Sequence, residues 1–314
     1  MKKLVRPFSQ IKKKDVQLAG GKGASLGEMT SKGVPVPPGF VILAKAADQF
    51  MEETGLARTV KSTLKNVNTK KTDSVNRVSR QIRSQIAKAK FPADLEKEIL
   101  AEFKKLKCRQ VAVRSSATAE DSSAASWAGE LETYLYVDKQ KLIPTVKKCW
   151  SSLFTPRAIF YRFEKKLNKK NISVAVVVQK MVDSEVAGVC FTVHPVNKDK
   201  NQLVIEAGYG LGEAIVGGQI TPDTYVVNKE EEYIEDISVS EQKKKLVKAA
   251  GGGLKKVGVK KTDQSKQKLT GQQIIKLAQI CQKIAQHYKE PQDIEWALSK
   301  NKFYITQSRP ITTL

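Results

Sequence analysis

The sequence is poor in the residues from which many sites are built. Its four cysteines, Cys108, Cys149, Cys190 and Cys281, lie far apart, and no CxxC or Cys/His cluster occurs. That spacing excludes a structural zinc site and a disulfide-framed fold, and it suits a reducing compartment. Histidine occurs twice, at His194 and His287. The longest apolar run, around Val174 to Val178, is far short of the roughly 20 residues that a bilayer-spanning helix needs. The opening Met1-Lys-Lys-Leu-Val-Arg6 lacks the apolar stretch of a signal peptide, so a cytoplasmic location and no membrane partner are expected. Acidic residues are also scarce: Asp+Glu number 32 against 55 Lys+Arg, a net charge of +23. Such a balance permits phosphate-backbone contacts. The lysines are spread along the chain, however, and no module with interleaved aromatics appears, so nucleic acid is not the expected main ligand. A polyanionic nucleotide accounts for the charge equally well.

What is present reads as a globular protein. The 314 residues are 40% hydrophobic and 28% charged, enough for a sizeable core in two or three lobes. From about Ala46 to Lys107 the pattern is helical, with Ile82, Ile86, Leu95, Ile99 and Phe103 near helical spacing and a polar break at Lys61 to Ser74. Two helices are expected over Pro144 to Lys166, the second begun by Thr155-Pro156. Strands are expected at Val111 to Val113, Tyr134 to Val137, Ile172 to Val182, Val186 to Val193, Leu203 to Glu206, Asp223 to Val227 and Tyr233 to Ile237. Lys243 to Lys268 is Gly/Lys-rich and reads as a mobile surface excursion. A helix with a Thr270/Gln273 capping box precedes the C-terminal strands. The fold class is α+β, a helix-rich first half and an antiparallel sheet-rich second half.

Four stretches carry candidate chemistry. Gly20-Gly-Lys22-Gly-Ala-Ser-Leu-Gly27 turns tightly into a helix and places a lysine at its head, which favours anions. It is not a Walker A loop, because Gly23 follows Lys22. Val113-Arg114-Ser115-Ser116-Ala-Thr118 delivers an arginine and a cluster of hydroxyls that can wrap phosphate oxygens, and Ser126-Trp127-Ala-Gly129-Glu130 follows. Gly208-Tyr-Gly210-Leu-Gly212-Glu213 is glycine-rich without the Rossmann spacing. Near the C-terminus, Asp293-Ile-Glu295 and Gln307-Ser-Arg309 read as two strands joined by a turn at Ser299 to Lys302. Residues two apart on a strand share a face. If facing residues sum to an even number, as an odd-length loop would arrange, two carboxylates, an amide oxygen and a guanidinium converge. That set suits Mg²⁺ beside polyphosphate. By itself the hairpin reads equally as a solvated polar edge.

Together these motifs, with Ser152-Leu-Phe-Thr-Pro-Arg157-Ala, Val178-Gln179-Lys-Met181-Val182 and Gly188-Val-Cys-Phe-Thr192, resemble in order and spacing the ATP-grasp domain of phosphoenolpyruvate synthase (pyruvate, water dikinase). Pyruvate phosphate dikinase and rifampicin phosphotransferase carry the same domain. The resemblance covers nearly the whole chain. It implies an ATP-grasp fold of two lobes with nucleotide bound between them: residues 1–180, with a helical insertion near 46–107, and residues 181–314, carrying the metal hairpin 293–309. It implies ATP as substrate and Mg²⁺ as cofactor. Lys22 and Arg114 would hold phosphates, with Ser115 and Thr118 beside them. Gln179, Met181 and Val182 would line the adenine, Glu185 the ribose, and Glu213 would stand near the nucleotide. Glu295 and Gln307 would bind the metal, with Asp293 a further candidate, and Arg309 would stabilise the transferring phosphoryl group. Such enzymes pass that group to a histidine in a Thr-Ser-His-Ala type motif on a mobile domain. Neither His194 nor His287 stands in that context, so the acceptor histidine is expected on a separate domain or chain. The alternative is a nucleotide-binding regulatory protein without turnover.

Overall fold

The computed structural model describes residues 3–118, 121–122, 125–126, 132–165, 173–250 and 252–312. The expected Trp127 to Glu130 motif lies outside them. The chain divides into two compact units: residues 1–28 with 38–181, and residues 29–37 with 182–314.

The first unit holds β1 (Val5–Pro7), most of α1 (Val16–Ser31) and β2 (Gly39–Ile42). Four helices follow: α2 (Ala44–Glu53), α3 (Leu56–Lys65), α4 (Thr72–Lys88) and α5 (Ala93–Lys105). They fill the region read as helical, and the polar break narrows to the residues between α3 and α4. α5 begins with Asp94 and Glu96 and ends with Lys104 and Lys105, charges that suit the two ends of its dipole. Next come β3 (Val111–Ala117), the two-residue strands β4 (Asp121–Ser122) and β5 (Ala125–Ser126), and β6 (Thr133–Val137). α6 (Lys139–Ser151), α7 (Pro156–Glu164) and β7 (Val174–Lys180) complete the unit. α6 starts five residues before the expected Pro144, because Asp138 caps it by accepting from the Lys141 N–H at 2.9 Å. Thr155 caps α7, accepting from Ala158 N at 3.1 Å, with Pro156 at the first helical position.

The five-stranded sheet of this unit runs β1-β2-β7-β3-β6, every pairing antiparallel. The valine-rich β7 is its centre. Phe40, Ile42, Val111, Val113, Val176 and Val178 share one face and pack with Phe50, Ile82, Ile86, Ile99 and Trp150 in a single core. Strand alternation therefore puts Val41, Ala112, Arg114, Ser116, Val177 and Gln179 on the other face.

The second unit is built on β8 (Val186–Phe191), β9 (Gln202–Tyr209), the short α8 (Glu213–Val216), β10 (Asp223–Asn228) and β11 (Ile234–Ser238). After these come β12 (Lys244–Lys248), β13 (Leu254–Gly258), α9 (Gly271–Tyr288), β14 (Gln292–Ser299) and β15 (Lys302–Pro310). The main sheet runs β11-β10-β9-β8-β14-β15 and is antiparallel throughout. α9 opens on the Thr270/Gln273 capping box. It buries Ile274, Leu277, Cys281 and Ile284 over the face that carries Cys190 and Ile294; the Cys190 and Cys281 thiols touch. Burial and that contact push the Cys190 thiol well above its ordinary range. A fully buried ion pair, Lys268 Nζ to Asp223 Oδ1 at 2.8 Å, closes the β10 end of the unit. Lys243 to Lys268 is not a loose excursion. β12 and β13 pair in regular register, and Leu246 is buried.

Candidate nucleotide site

In the first unit the glycine turn is clamped to β3. α1 kinks at Gly20, whose φ of 69° and ψ of 170° belong to backbone that only glycine adopts readily. A Cβ there would lie 2.2 Å from Ser116 Oγ and 2.4 Å from the Ser116 carbonyl oxygen. Ser116 Oγ donates to Ala19 O at 2.9 Å and accepts from Gly23 N at 3.2 Å, so one hydroxyl joins both sides of the kink. Lys22, half-buried, stands just past the kink on the continuing helix. Gly23 packs on Val41, which places this part of α1 on the sheet face that carries Arg114 and Gln179. Arg114 and Gln179 are both buried, at 8% and 2% exposure. Thr118, at the end of the same strand, donates its hydroxyl to Ser173 O at 3.1 Å.

Ser115 departs from the expectation. It points to the opposite face, where its hydroxyl donates to Glu132 O at 3.1 Å and lies 3.2 Å from Ser152 Oγ. It braces the helical layer, and the set beside Arg114 is Ser116 and Thr118. Met181 closes the first unit, its N–H donating to Gln110 O at 3.3 Å, and Val182 opens the second stretch of the other unit.

In the second unit the hairpin brings its four polar groups together. Asp293 faces Arg309 and Glu295 faces Gln307 across β14 and β15. The loop has only two residues, Lys300 and Asn301, both at positive φ as a tight hairpin turn requires. That even-length loop would place Gln307 opposite Ile294, on the wrong face. A β-bulge at Thr306 supplies the odd residue: Trp296 faces Ile305, the next pair is Glu295 with Gln307, and Thr306 is left between them. Ile305 then goes to the core, fully buried, while Gln307 joins Glu295. Arg309 grips one oxygen of Asp293, with Nε at 2.8 Å and Nη2 at 2.7 Å. Burial raises the Asp293 carboxyl above its ordinary range; Arg309 opposes this and Glu295 adds to it.

The register adds a residue not foreseen from the sequence. Glu295 faces Val189 on β8, and Val189 faces Glu206 on β9, so Glu206, Glu295 and Gln307 stand in one row on one face. Burial raises the Glu206 carboxyl, and the Asp293 charge raises it further. Glu206 has one signal in the sequence, a lone acid inside a β-branched strand. Glu213 begins α8 with its carboxyl raised by desolvation. Glu185 is exposed, and its Oε1 accepts from the Lys300 N–H at 3.0 Å, so it lies by the hairpin turn. Its carbonyl accepts from Gly210 N at 2.9 Å, which ties it to the glycine-rich turn as well.

Among the described residues no group of three or more His, Cys, Asp or Glu side chains forms a closed metal cluster. The fit to Mg²⁺ is of another kind. Glu295 and Gln307 offer hard oxygens from directly facing positions, Glu206 stands in their row, and Asp293 is engaged with Arg309. Mg²⁺ typically takes one or two carboxylates and completes its shell with water and substrate phosphates. The raised carboxyls mark a desolvated acidic face on which a cation would be welcome.

Residues 16–314 match the family described as pyruvate phosphate dikinase, AMP/ATP-binding domain. The chain is 45% identical over 319 residues to a probable phosphoenolpyruvate synthase of Methanocaldococcus jannaschii, covering 99% of this chain and 27% of that protein. A protein of the same description from Archaeoglobus fulgidus is 46% identical over 314 residues, covering 98% and 41%. A rifampicin phosphotransferase of Bacillus cereus is 38% identical over 317 residues, covering 100% and 36%. The chain thus spans less than half the length of each of these relatives.

Proposed function

Since the chain belongs to the family of pyruvate phosphate dikinase AMP/ATP-binding domains, we propose that it is an ATP-grasp domain that binds ATP with Mg²⁺ and passes a phosphoryl group to a histidine on a separate domain or chain. The observation that carries this reading is the convergence of Asp293, Glu295, Gln307 and Arg309 on one face of β14 and β15. Phosphoryl transfer is chiefly positioning and charge stabilisation, so this chain needs cations and metal ligands and no nucleophile of its own. Lys22 and Arg114 hold ATP phosphates, with Thr118 beside them. Gln179, Met181 and Val182 line the base, Glu185 the ribose, and Glu213 stands near the nucleotide. Glu295 and Gln307 hold Mg²⁺, which neutralises charge on the phosphates when bound. Asp293 orients Arg309, which stabilises the group in transfer. Ser115 is engaged with the helical layer and receives no binding role.

The test is ATP turnover with Mg²⁺, by the chain alone and with the histidine-bearing domain of a phosphoenolpyruvate synthase, following AMP and phosphohistidine. Both products appearing only with the added domain would support transfer. Tight ATP binding with neither product would instead favour a regulatory nucleotide-binding role.

A further inference from the structure

The segment Lys243–Gly258 carries six lysines and no acid, arginine or aromatic residue. It is held firmly. β12 and β13 pair from Lys244 with Gly258 to Lys248 with Leu254. Leu211 N donates to Leu246 O at 3.1 Å, and Gly210 bridges to Leu246. Gly210 has φ +90°, and a Cβ there would lie 2.5 Å from Leu246 O, so β12 approaches the glycine-rich turn as closely as backbone allows. Buried Gln242 staples the junction: its Oε1 accepts from Tyr209 N at 2.8 Å, and its Nε2 donates to Tyr209 O and Lys244 O at 3.0 Å. Lys244, Lys255 and Lys256 are exposed and Lys245 is half-buried. Lys243, just before β12, pairs with Glu241 at 3.1 Å.

We propose that the β12 and β13 hairpin is a docking arm for an acidic face of the phosphoryl-accepting domain. This rests on the reading that the phosphoryl group leaves on a separate domain. The register puts Lys244, Lys248 and Lys256 on one face of the hairpin and Lys245 and Lys255 on the other. The arm is therefore cationic on both sides over about 17 Å of strand, which suits a macromolecular surface better than one cluster of phosphates. Lysines act as point charges without the forked geometry of arginine, and no aromatic is present to stack on bases. That composition fits a charge-steered encounter with protein carboxylates, made and broken at each turnover, and not the grip of a nucleic acid.

The experiment measures binding of the full chain to the histidine-bearing domain of a phosphoenolpyruvate synthase, at about 50 and about 300 mM salt. The variants are K244E/K245E/K255E/K256E and its all-glutamine counterpart, which keeps the side-chain stems. The charge-reversed chain should bind on the order of tenfold more weakly at low salt, with the gap closing at high salt and ATP affinity unchanged. The glutamine chain should fall between. Equal binding by all three chains would overturn the proposal, as would no binding by the natural chain. Tighter hairpin-dependent binding of duplex DNA than of the domain would overturn it in favour of a nucleic acid. Phosphohistidine is read separately: its absence while salt-dependent docking persists defeats the transfer reading and leaves the docking arm standing.

Discussion

Gly20→Ala isolates the joint on which Lys22 depends. The native backbone there, φ 69° and ψ 170°, costs a residue with a side chain about 1–3 kcal/mol. The added Cβ would lie 2.4 Å from Ser116 O and 2.6 Å from Ser116 C, atoms fixed near the end of β3 by its pairing with β7. Such overpacking adds about 1–3 kcal/mol, because neither atom is the loose end of a flexible chain. The sum is about 2–6 kcal/mol, and at about 2–4 °C per kcal/mol for a domain of this size the melting temperature should drop by about 4–24 °C. Gly33→Ala is the control. Its φ is +73°, but nothing lies within 4 Å of the added carbon, so only the conformational cost of about 1–2 kcal/mol applies. Thermal melts of both variants, with ATP titrations, read the two contributions separately. Gly20→Ala should also weaken ATP binding, because relief of the clash moves the Lys22 helix off β3. Equal, small melting shifts for the two variants would refute the claim that the kink is pressed against Ser116.

Arg309→Ala should leave ATP affinity within a few-fold and reduce transfer by about 100-fold or more; equal loss of both would argue against a role in the transfer step. Glu295→Ala should instead weaken Mg²⁺-dependent ATP binding by about tenfold or more, read by titration with and without the metal. Glu206 and Asp293 hold protons more tightly when folded than unfolded, so their burial costs nothing at pH below the unfolded carboxylate range and destabilises the unit as pH rises through the raised values. Glu206→Gln should therefore flatten the fall in melting temperature as pH rises from the unfolded carboxylate range near about pH 4; an unchanged slope would mean that the Glu206 carboxyl is not raised by its burial. Deleting Thr306 removes the bulge yet leaves Glu295 opposite Gln307 and Asp293 opposite Arg309, so metal-dependent ATP binding should survive. A loss as large as that of Glu295→Ala would refute the register.

Local rules carried the reading as far as local physics extends. The Thr270 and Thr155 caps, the turn at Ser299 to Lys302 and the valine-rich strand within Ile172 to Val182 are set by residues a few positions apart, and the structure has each of them. Departures arise where the partner is distant. Ser115 and Ser116 look alike in sequence, yet strand alternation sends one to Ser152 and the other to the Gly20 kink, and only the position of α1 says which face is which. Lys243 to Lys268 lacks the alternation of an ordinary buried hairpin, because its order comes from Gln242 and the close approach to Gly210. Glu206 joins Glu295 only through the neighbour order β9-β8-β14, which no spacing along the chain encodes. The hairpin shows most directly how the two scales combine. Its period-two pattern was legible and its two-residue turn was chemically marked, but those alone would turn Gln307 away from Glu295. One extra residue, Thr306, reverses the parity for Gln307 and Arg309 together. The composition of a metal face can thus be written locally while its assembly rests on a bulge, and that is why the residue types were readable before their geometry was.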